Sequence, residues 1–303
     1  MQKLQPLKPG DRVELIAPAS RCTSARLEAI KTLCESWGLV CVIEPSLFGD
    51  DLLCANDDEA RFNAFRHALL REDTQAIFCV RGGYGSARLI PALMGVSKPP
   101  VHKLFVGMSD ITALHLYLQQ AWDWPVILGC AAPDQVSDAS IQSLKSILFG
   151  ETAQVQRVGV PMNASAREEL SINAPCVTGG NLCLVQASIG TPWQMQGADK
   201  IIFLEEVGER GYRIDRMLEH LRQAGLFNRA KAIIFGDCIE GEEPDGSSLI
   251  DPVLQRFASH CDIPVVRMEG IGHGHTNWPL VLGARTTLHL GETVQLHVNV
   301  PYS

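Results

Sequence analysis

The sequence predicts an α/β protein with a parallel sheet in its N-terminal half and a more mixed second half. Three observations carry this. Short apolar runs alternate with helical patterns through the first 130 residues, an order that buries a parallel sheet between helices. The stretch ETAQVQRVGVPMNASAREEL, residues 151–170, is polar and aperiodic with one proline, and reads as a connection between domains. A length of 303 residues, 46% hydrophobic and 20% charged, fits one large or two medium domains and excludes a disordered or collagen-like chain. The expected organisation is therefore a domain over 1–150, a linker over 151–170 and a second domain over 171–303, with no internal repeat.

In order, the first half offers VELIAP, a helix around 24–37, LVCVIEP, a helix around 57–71, AIFCV, a helix around 85–94, KLFVG, a helix around 110–120, and PVILGC. In the second half KIIFLEE and KAIIFGD read as buried strands. Between them Ile214, Met217, Leu218 and Leu221 fall at i, i+3, i+4 and i+7 of a helix that Gly225 would end. The tail RTTLHLGETVQLHVNV alternates like antiparallel strands turning near Gly291.

Charge and cysteine usage narrow the function classes. Twenty-six basic against 34 acidic side chains give a net charge of −8, so no global field favours nucleic acid or an anionic membrane, and an anionic ligand must find a local cluster of cations. The ten cysteines are scattered without a C-x-x-C pair and read as buried free thiols in a reducing compartment. The N-terminus lacks an apolar core followed by a cleavage site, and no apolar run reaches about 18 residues, so a soluble cytoplasmic protein is expected.

Parallel sheets gather their chemistry at the carboxyl ends of the strands. There Val80 runs into Arg81-Gly82-Gly83-Tyr84-Gly85, Val106 into Gly107-Met108-Ser109-Asp110, and Leu128 into Gly129. FVGMSDITALHLYL has the layout of a nucleophile elbow, with Ser109 on a tight strand-to-helix corner and the Asp110 N–H at a positive helix end. Ile111 stands where a second glycine would complete G-x-S-x-G, and Ser109 or Asp110 could equally be the helix N-cap. RGGYGSARL is either an oxyanion-binding loop or a tight turn needing positive φ, and it is neither a Walker A loop nor G-x-G-x-x-G. Glu205 ends an apolar strand, with Glu206 directed to the other face, and either orients an imidazole or pairs with a nearby arginine. GIGHGHTNWPLVLGA sets His273 and His275 on a glycine-rich loop, where either could serve as a general base. A zinc site drawn from these two with Glu205, Glu206 or Asp237 lacks H-E-x-x-H and a cysteine pair, so no metal and no cofactor is expected. The order Ser, Glu, His is that of α/β hydrolases.

With these residues in view, the sequence resembles the LD-carboxypeptidases, or muramoyltetrapeptide carboxypeptidases, nearly end to end. The segments that carry the resemblance are IAPAS at 16–20, VRGGYGSARL at 80–89, GMSDITALH at 107–115, GGNLCLVQASIGTPW at 179–193, FLEEVGERGYRIDRML at 203–218, and GHGHTN with LVLGA at 272–284. The resemblance implies Ser109 as nucleophile, Glu205 as charge-relay acid and His273, rather than His275, as base. It also implies an oxyanion hole from the N–H groups of Gly83 and Asp110, a smaller β-rich C-terminal domain, and a homodimer. The implied substrate is a murein tetrapeptide or related muropeptide, from which the terminal D-alanine is cut at an L,D-peptide bond in peptidoglycan recycling. Arg81, Arg88 and Arg213 are the candidates for holding its carboxylate, each equally able to be a salt-bridge partner. Met108, Val281 and Gly129-Cys130-Ala131 depart from the family pattern at positions outside the triad. Rival readings are an immunity-type hydrolase of acyl-sulfamoyl adenylates with the same triad, a metal-dependent amidase and a non-catalytic binding protein. The 151–170 stretch has no aromatic residue to stack on an adenine, which favours the peptide.

Overall fold

The structure, a computed structural model, describes residues 3–302. The chain forms two units. One runs to Ala153 and takes in the chain again from Pro301; the other is Gln154–Val300.

The first unit contains β1 (Arg12–Ile16), α1 (Ser24–Ser36), β2 (Val40–Ile43), α2 (Asp58–Leu70), β3 (Ala76–Cys79), α3 (Ile90–Leu93), β4 (Leu104–Gly107), α4 (Thr112–Trp122), β5 (Val126–Leu128) and α5 (Asp138–Leu148). Its strands lie in the order β2-β1-β3-β4-β5, and every neighbouring pair is parallel. The apolar runs make this sheet because β3 and β4 are covered on both faces: Ile77, Phe78, Phe105 and Val106 are all buried. The chain reverses its direction across the sheet between β1 and β3, the place where ligands collect beyond the carboxyl ends of parallel strands. Helix starts follow their capping residues: the Thr23 hydroxyl accepts from Arg26 N at 3.2 Å and the Asp57 carboxylate from Ala60 N at 2.7 Å.

The helix expected around 85–94 is instead a 3-10 turn, Ser86–Leu89, followed by the single turn of α3. Pro91 has no N–H to continue a helical ladder from Ala87, so a helix can only restart with it in the first turn, where it is the second residue of α3.

The second unit contains β6 (Gln154–Pro161), β7 (Ser171–Ala174), β8 (Val177–Asn181), α6 (Leu182–Ala187), β9 (Ile201–Val207), α7 (Gly211–Gln223), β10 (Ala232–Ile239), α8 (Ile250–Ser259), β11 (Val265–Arg267), β12 (Leu280–Leu282), β13 (Thr286–His289) and β14 (Val294–Asn299). One sheet runs β7-β13-β14-β6-β11-β10-β9-β8. Its β8-β9-β10-β11 portion is parallel, and the rest is antiparallel. The stretch 151–170, expected as a linker, thus carries the strand β6, bonded to both β14 and β11. Its periodicity is hidden because Gly159 is buried against the backbone of Arg267, while Val158 and Val160 face solvent. Gly225 ends α7 in a left-handed conformation, with Gly225 N donating to Arg222 O and Leu226 N to Leu221 O, each at 3.0 Å. The predicted C-terminal hairpin is β13 against β14. Pro301 and Tyr302, expected with the second domain, belong to the first unit, where Leu4 N donates to Pro301 O at 2.8 Å.

All ten cysteines are free thiols, five buried and five half-buried, so the expectation of full burial holds for Cys22, Cys34, Cys54, Cys176 and Cys238 alone. Among the described residues no helix is long and apolar enough to cross a membrane.

Candidate active site

In the first unit, two strand-end loops meet at Ser109. After β4 the backbone at Met108 is extended, and Ser109 then takes a left-handed conformation, φ 62°, as the chain enters a 3-10 turn leading into α4. A non-glycine residue there costs about 1–2 kcal/mol, the strain expected of a serine lifted onto a nucleophile corner. An ordinary N-cap is extended instead, and the residue in that position here is Met108, not Ser109. Gly107 permits the corner: a Cβ on it would stand 2.6 Å from Ile111 Cγ2. Asp110 is buried and faces inward, its carboxylate accepting from Ser86 N at 2.8 Å and its carbonyl from Ser86 Oγ at 2.6 Å. The corner is thereby tied to the loop that follows β3.

That loop is packed against the serine. A Cβ on Gly82 would lie 2.7 Å from Ser109 Cβ and 2.9 Å from Met108 O. Gly83 has φ 98°, and a Cβ there would lie 2.5 Å from Ser20 Oγ. Ser20, at the end of IAPAS, braces the loop, its N–H donating to Gly82 O at 3.1 Å and its Oγ accepting from Tyr84 N at 3.0 Å. Neither the N–H of Gly83 nor that of Asp110 has an acceptor among the described residues.

Sequence reasoning gave Arg61 no role, yet it anchors the loops that follow β1 and β3. It is buried, donates to Pro18 O, to Gly85 O at 3.0 Å and to Asn56 O at 3.0 Å, and pairs with Asp58 at 2.5 Å. Its signal was a charged side chain on the buried stripe of α2 with Phe65, Ala68 and Leu69. Of the proposed substrate arginines, Arg88 is spent on Asp58, with contacts of 2.9, 3.0 and 2.6 Å. Arg213 lies 3.2 Å from Glu209 and bonds the Tyr212 hydroxyl. Arg81 is exposed, donates to Arg21 O at 2.7 Å, and faces no carboxylate within ion-pair distance among the described residues.

In the second unit the parallel strands bring Glu205 and His273 together. Glu205, near the end of β9, is fully buried, and its Oε2 accepts from His273 Nδ1 at 2.6 Å. Binding at Nδ1 leaves Nε2 as the basic nitrogen of the neutral ring, and this buried atom has no partner among the described residues. Burial favours the neutral imidazole, but it is outweighed by the charge and hydrogen bond of Glu205, joined by the charges of Glu206 and Glu240. The His273 pKa is therefore raised above the ordinary 6.5. Glu206 points the other way, accepting from Asn181 Nδ2, Cys183 N and Val207 N at 3.0, 2.8 and 2.8 Å. Burial raises its pKa despite these donors. His275 is exposed, and among the described residues no three His, Cys, Asp or Glu side chains are grouped to hold a metal ion.

Comparison with known proteins agrees with the fold of each unit. Residues 13–129 match the LD-carboxypeptidase N-terminal domain and residues 176–288 the LD-carboxypeptidase C-terminal domain. A Rickettsia conorii protein provisionally named a carboxypeptidase is 39% identical over 295 residues, 95% of this chain and 91% of its own. The murein tetrapeptide carboxypeptidase of Pseudomonas aeruginosa is 27% identical over 92% of this chain and 93% of its own. Among solved structures, muramoyltetrapeptide carboxypeptidase from Oxalobacter formigenes has a TM-score of 0.80 at 23% identity, covering 96% of this chain and 100% of that one. The microcin C7 self-immunity protein solved with adenosine monophosphate has a TM-score of 0.85 at 18% identity, covering 100% of both chains. At those identities the structural likeness speaks for the fold alone. On the strength of the two domain matches and the Rickettsia relative, the chain belongs to the LD-carboxypeptidase family of peptidases.

Proposed function

We propose that the protein is a serine carboxypeptidase that releases the terminal D-alanine from murein tetrapeptides by hydrolysing the L,D-peptide bond. The observation that carries this reading is the buried Glu205–His273 pair, with Nδ1 engaged and Nε2 unpartnered. In this mechanism Nε2 takes the proton of Ser109 Oγ as the oxygen attacks the carbonyl carbon of the scissile bond. The N–H groups of Gly83 and Asp110 hold the oxyanion, and Glu205 stabilises the imidazolium. The C–N bond then breaks, the imidazolium returns its proton to the leaving amine, and D-alanine departs. Water, deprotonated by His273, hydrolyses the acyl-enzyme and frees Ser109. The unneutralised Arg81 beside Gly82 holds the substrate's terminal carboxylate.

The name of the Pseudomonas relative supports the peptide substrate, the ten free thiols support a cytoplasmic location, and the family resemblance supports a homodimer. Incubating the protein with a murein tetrapeptide and, separately, with an aspartyl-sulfamoyl adenylate tests the reading: D-alanine release from the first alone is expected. Cleavage of the second alone would replace this substrate with the nucleotide one.

A further inference from the structure

We propose that Asp237 is a positioning residue for His273, holding from beneath the loop that carries the imidazole against Glu205. His273 sits at the centre of a glycine-rich loop closed on itself by Trp278 N donating to Gly270 O at 2.7 Å. Such a loop has few side chains with which to fix its own shape. Asp237, in β10, supplies what is missing. Its Oδ1 accepts from Gly270 N at 2.9 Å, and its own N–H donates to Ile271 O at 2.8 Å, so one residue holds two consecutive positions of the loop's entry.

The glycines around His273 are shaped to this side chain. Gly272, at φ 153°, would place a Cβ 2.9 Å from Asp237 Cβ, and Gly274 would place one 3.2 Å from Asp237 Oδ2. Both neighbours of His273 in the chain are therefore wrapped on Asp237. Gly236 lets the loop come this close, since a Cβ there would meet Ile271 O at 2.3 Å. On the exit side Asn277 Nδ2 donates to Gly272 O. The imidazole is thus fixed at Nδ1 by Glu205 and through its backbone by Asp237, from neighbouring parallel strands β9 and β10.

The catalytic consequence rests on His273 being the base proposed above, because a displacement of about 1 Å at a catalytic group can lower turnover about 100-fold. The test compares full-length wild type, Asp237→Ala and Asp237→Asn, the last of which keeps an acceptor for Gly270 N–H. Two readouts are taken: the far-downfield Nδ1–H proton resonance of His273 in protein without substrate, and kcat and KM for a murein tetrapeptide. Asp237→Asn is expected to keep the resonance and to stay within about threefold of wild-type kcat. Asp237→Ala is expected to lose the resonance and about 100-fold in kcat with KM nearly unchanged. If the alanine variant does not fold, Asp237→Ser, too short to reach Gly270 N, is read in its place. A resonance unchanged in the variant that lacks the acceptor overturns the proposal, as does its loss from the asparagine variant. The resonance is read without substrate, so a protein inactive on the tetrapeptide would overturn the function while still deciding the role of Asp237.

Discussion

Gly82 and Ser109 share a space that holds one side chain: a Cβ on Gly82 would stand 2.7 Å from the Cβ of Ser109. The glycine of one strand-end loop is therefore a condition for the serine of the other. Gly82→Ala is expected to push the corner aside and lower kcat/KM by roughly 100-fold, since an angstrom-scale shift of a nucleophile has that effect. A crystal structure of the variant with Ser109 unmoved, together with unchanged kinetics, would refute it.

Ser109 is held at φ 62°. Replacing it with glycine removes a strain of about 1–2 kcal/mol, partly offset by the greater freedom of glycine in the unfolded chain. Ser109→Gly is expected to unfold in urea at a concentration no lower than wild type while losing D-alanine release by several orders of magnitude. Ser109→Ala should lose activity equally without the gain in stability.

The pH dependence follows from the raised pKa of His273. The protonated ring cannot accept a proton from Ser109, so kcat/KM is expected to fall as pH drops through a value above the ordinary histidine pKa of about 6.5. Glu205→Gln removes the largest influence raising that pKa and leaves burial, which lowers it, so the acid limb should move to lower pH as activity falls. Stability responds with the opposite sign. A pKa raised on folding stabilises the protein below the unfolded pKa, and the gain is lost as pH rises through the folded value. The stability difference between wild type and Glu205→Gln, measured by urea titration, should therefore narrow from acid toward alkaline pH.

Arg81 and Arg88 should separate by kinetics. Arg81→Ala is expected to raise KM for the tetrapeptide by at least about tenfold, because a charge-assisted contact contributes roughly 1.5–3 kcal/mol. Arg88→Ala breaks a surface pair with Asp58, whose contribution is about 0–1 kcal/mol, and should change KM little. Equal effects of the two would show that the carboxylate is held elsewhere.

Arg61→Met should be the most damaging of these changes to folding. It strands the carbonyls of Pro18, Asn56 and Gly85 that the buried guanidinium satisfies. A loss of roughly 3 kcal/mol or more is expected, because each buried carbonyl left without a donor costs about 1–3 kcal/mol, read as a lower urea midpoint with an unchanged slope.

How much of this was legible in the sequence depends on how far apart the cooperating residues lie. The alternation of apolar runs with amphipathic stretches determined the parallel sheet of the first unit, because strand and helix periods are local properties. The Ser109 corner and the G-H-G loop were visible for the same reason: glycines and a serine at a strand end are read within a few positions. Strand β6 is hidden because its partners β14 and β11 lie far away in sequence and because Val158 and Val160 face solvent while Gly159 faces inward, the reverse of the usual alternation. Tertiary structure alone decided the rest. It gave His273 rather than His275 a buried carboxylate partner, spent Arg88 on Asp58, and set Arg61 and Asp237 against the loops they hold. Each of those outcomes is a contact across dozens of residues, and a hydrogen bond or ion pair exists only where folding has brought donor and acceptor to about 3 Å, a distance that local periodicity does not encode.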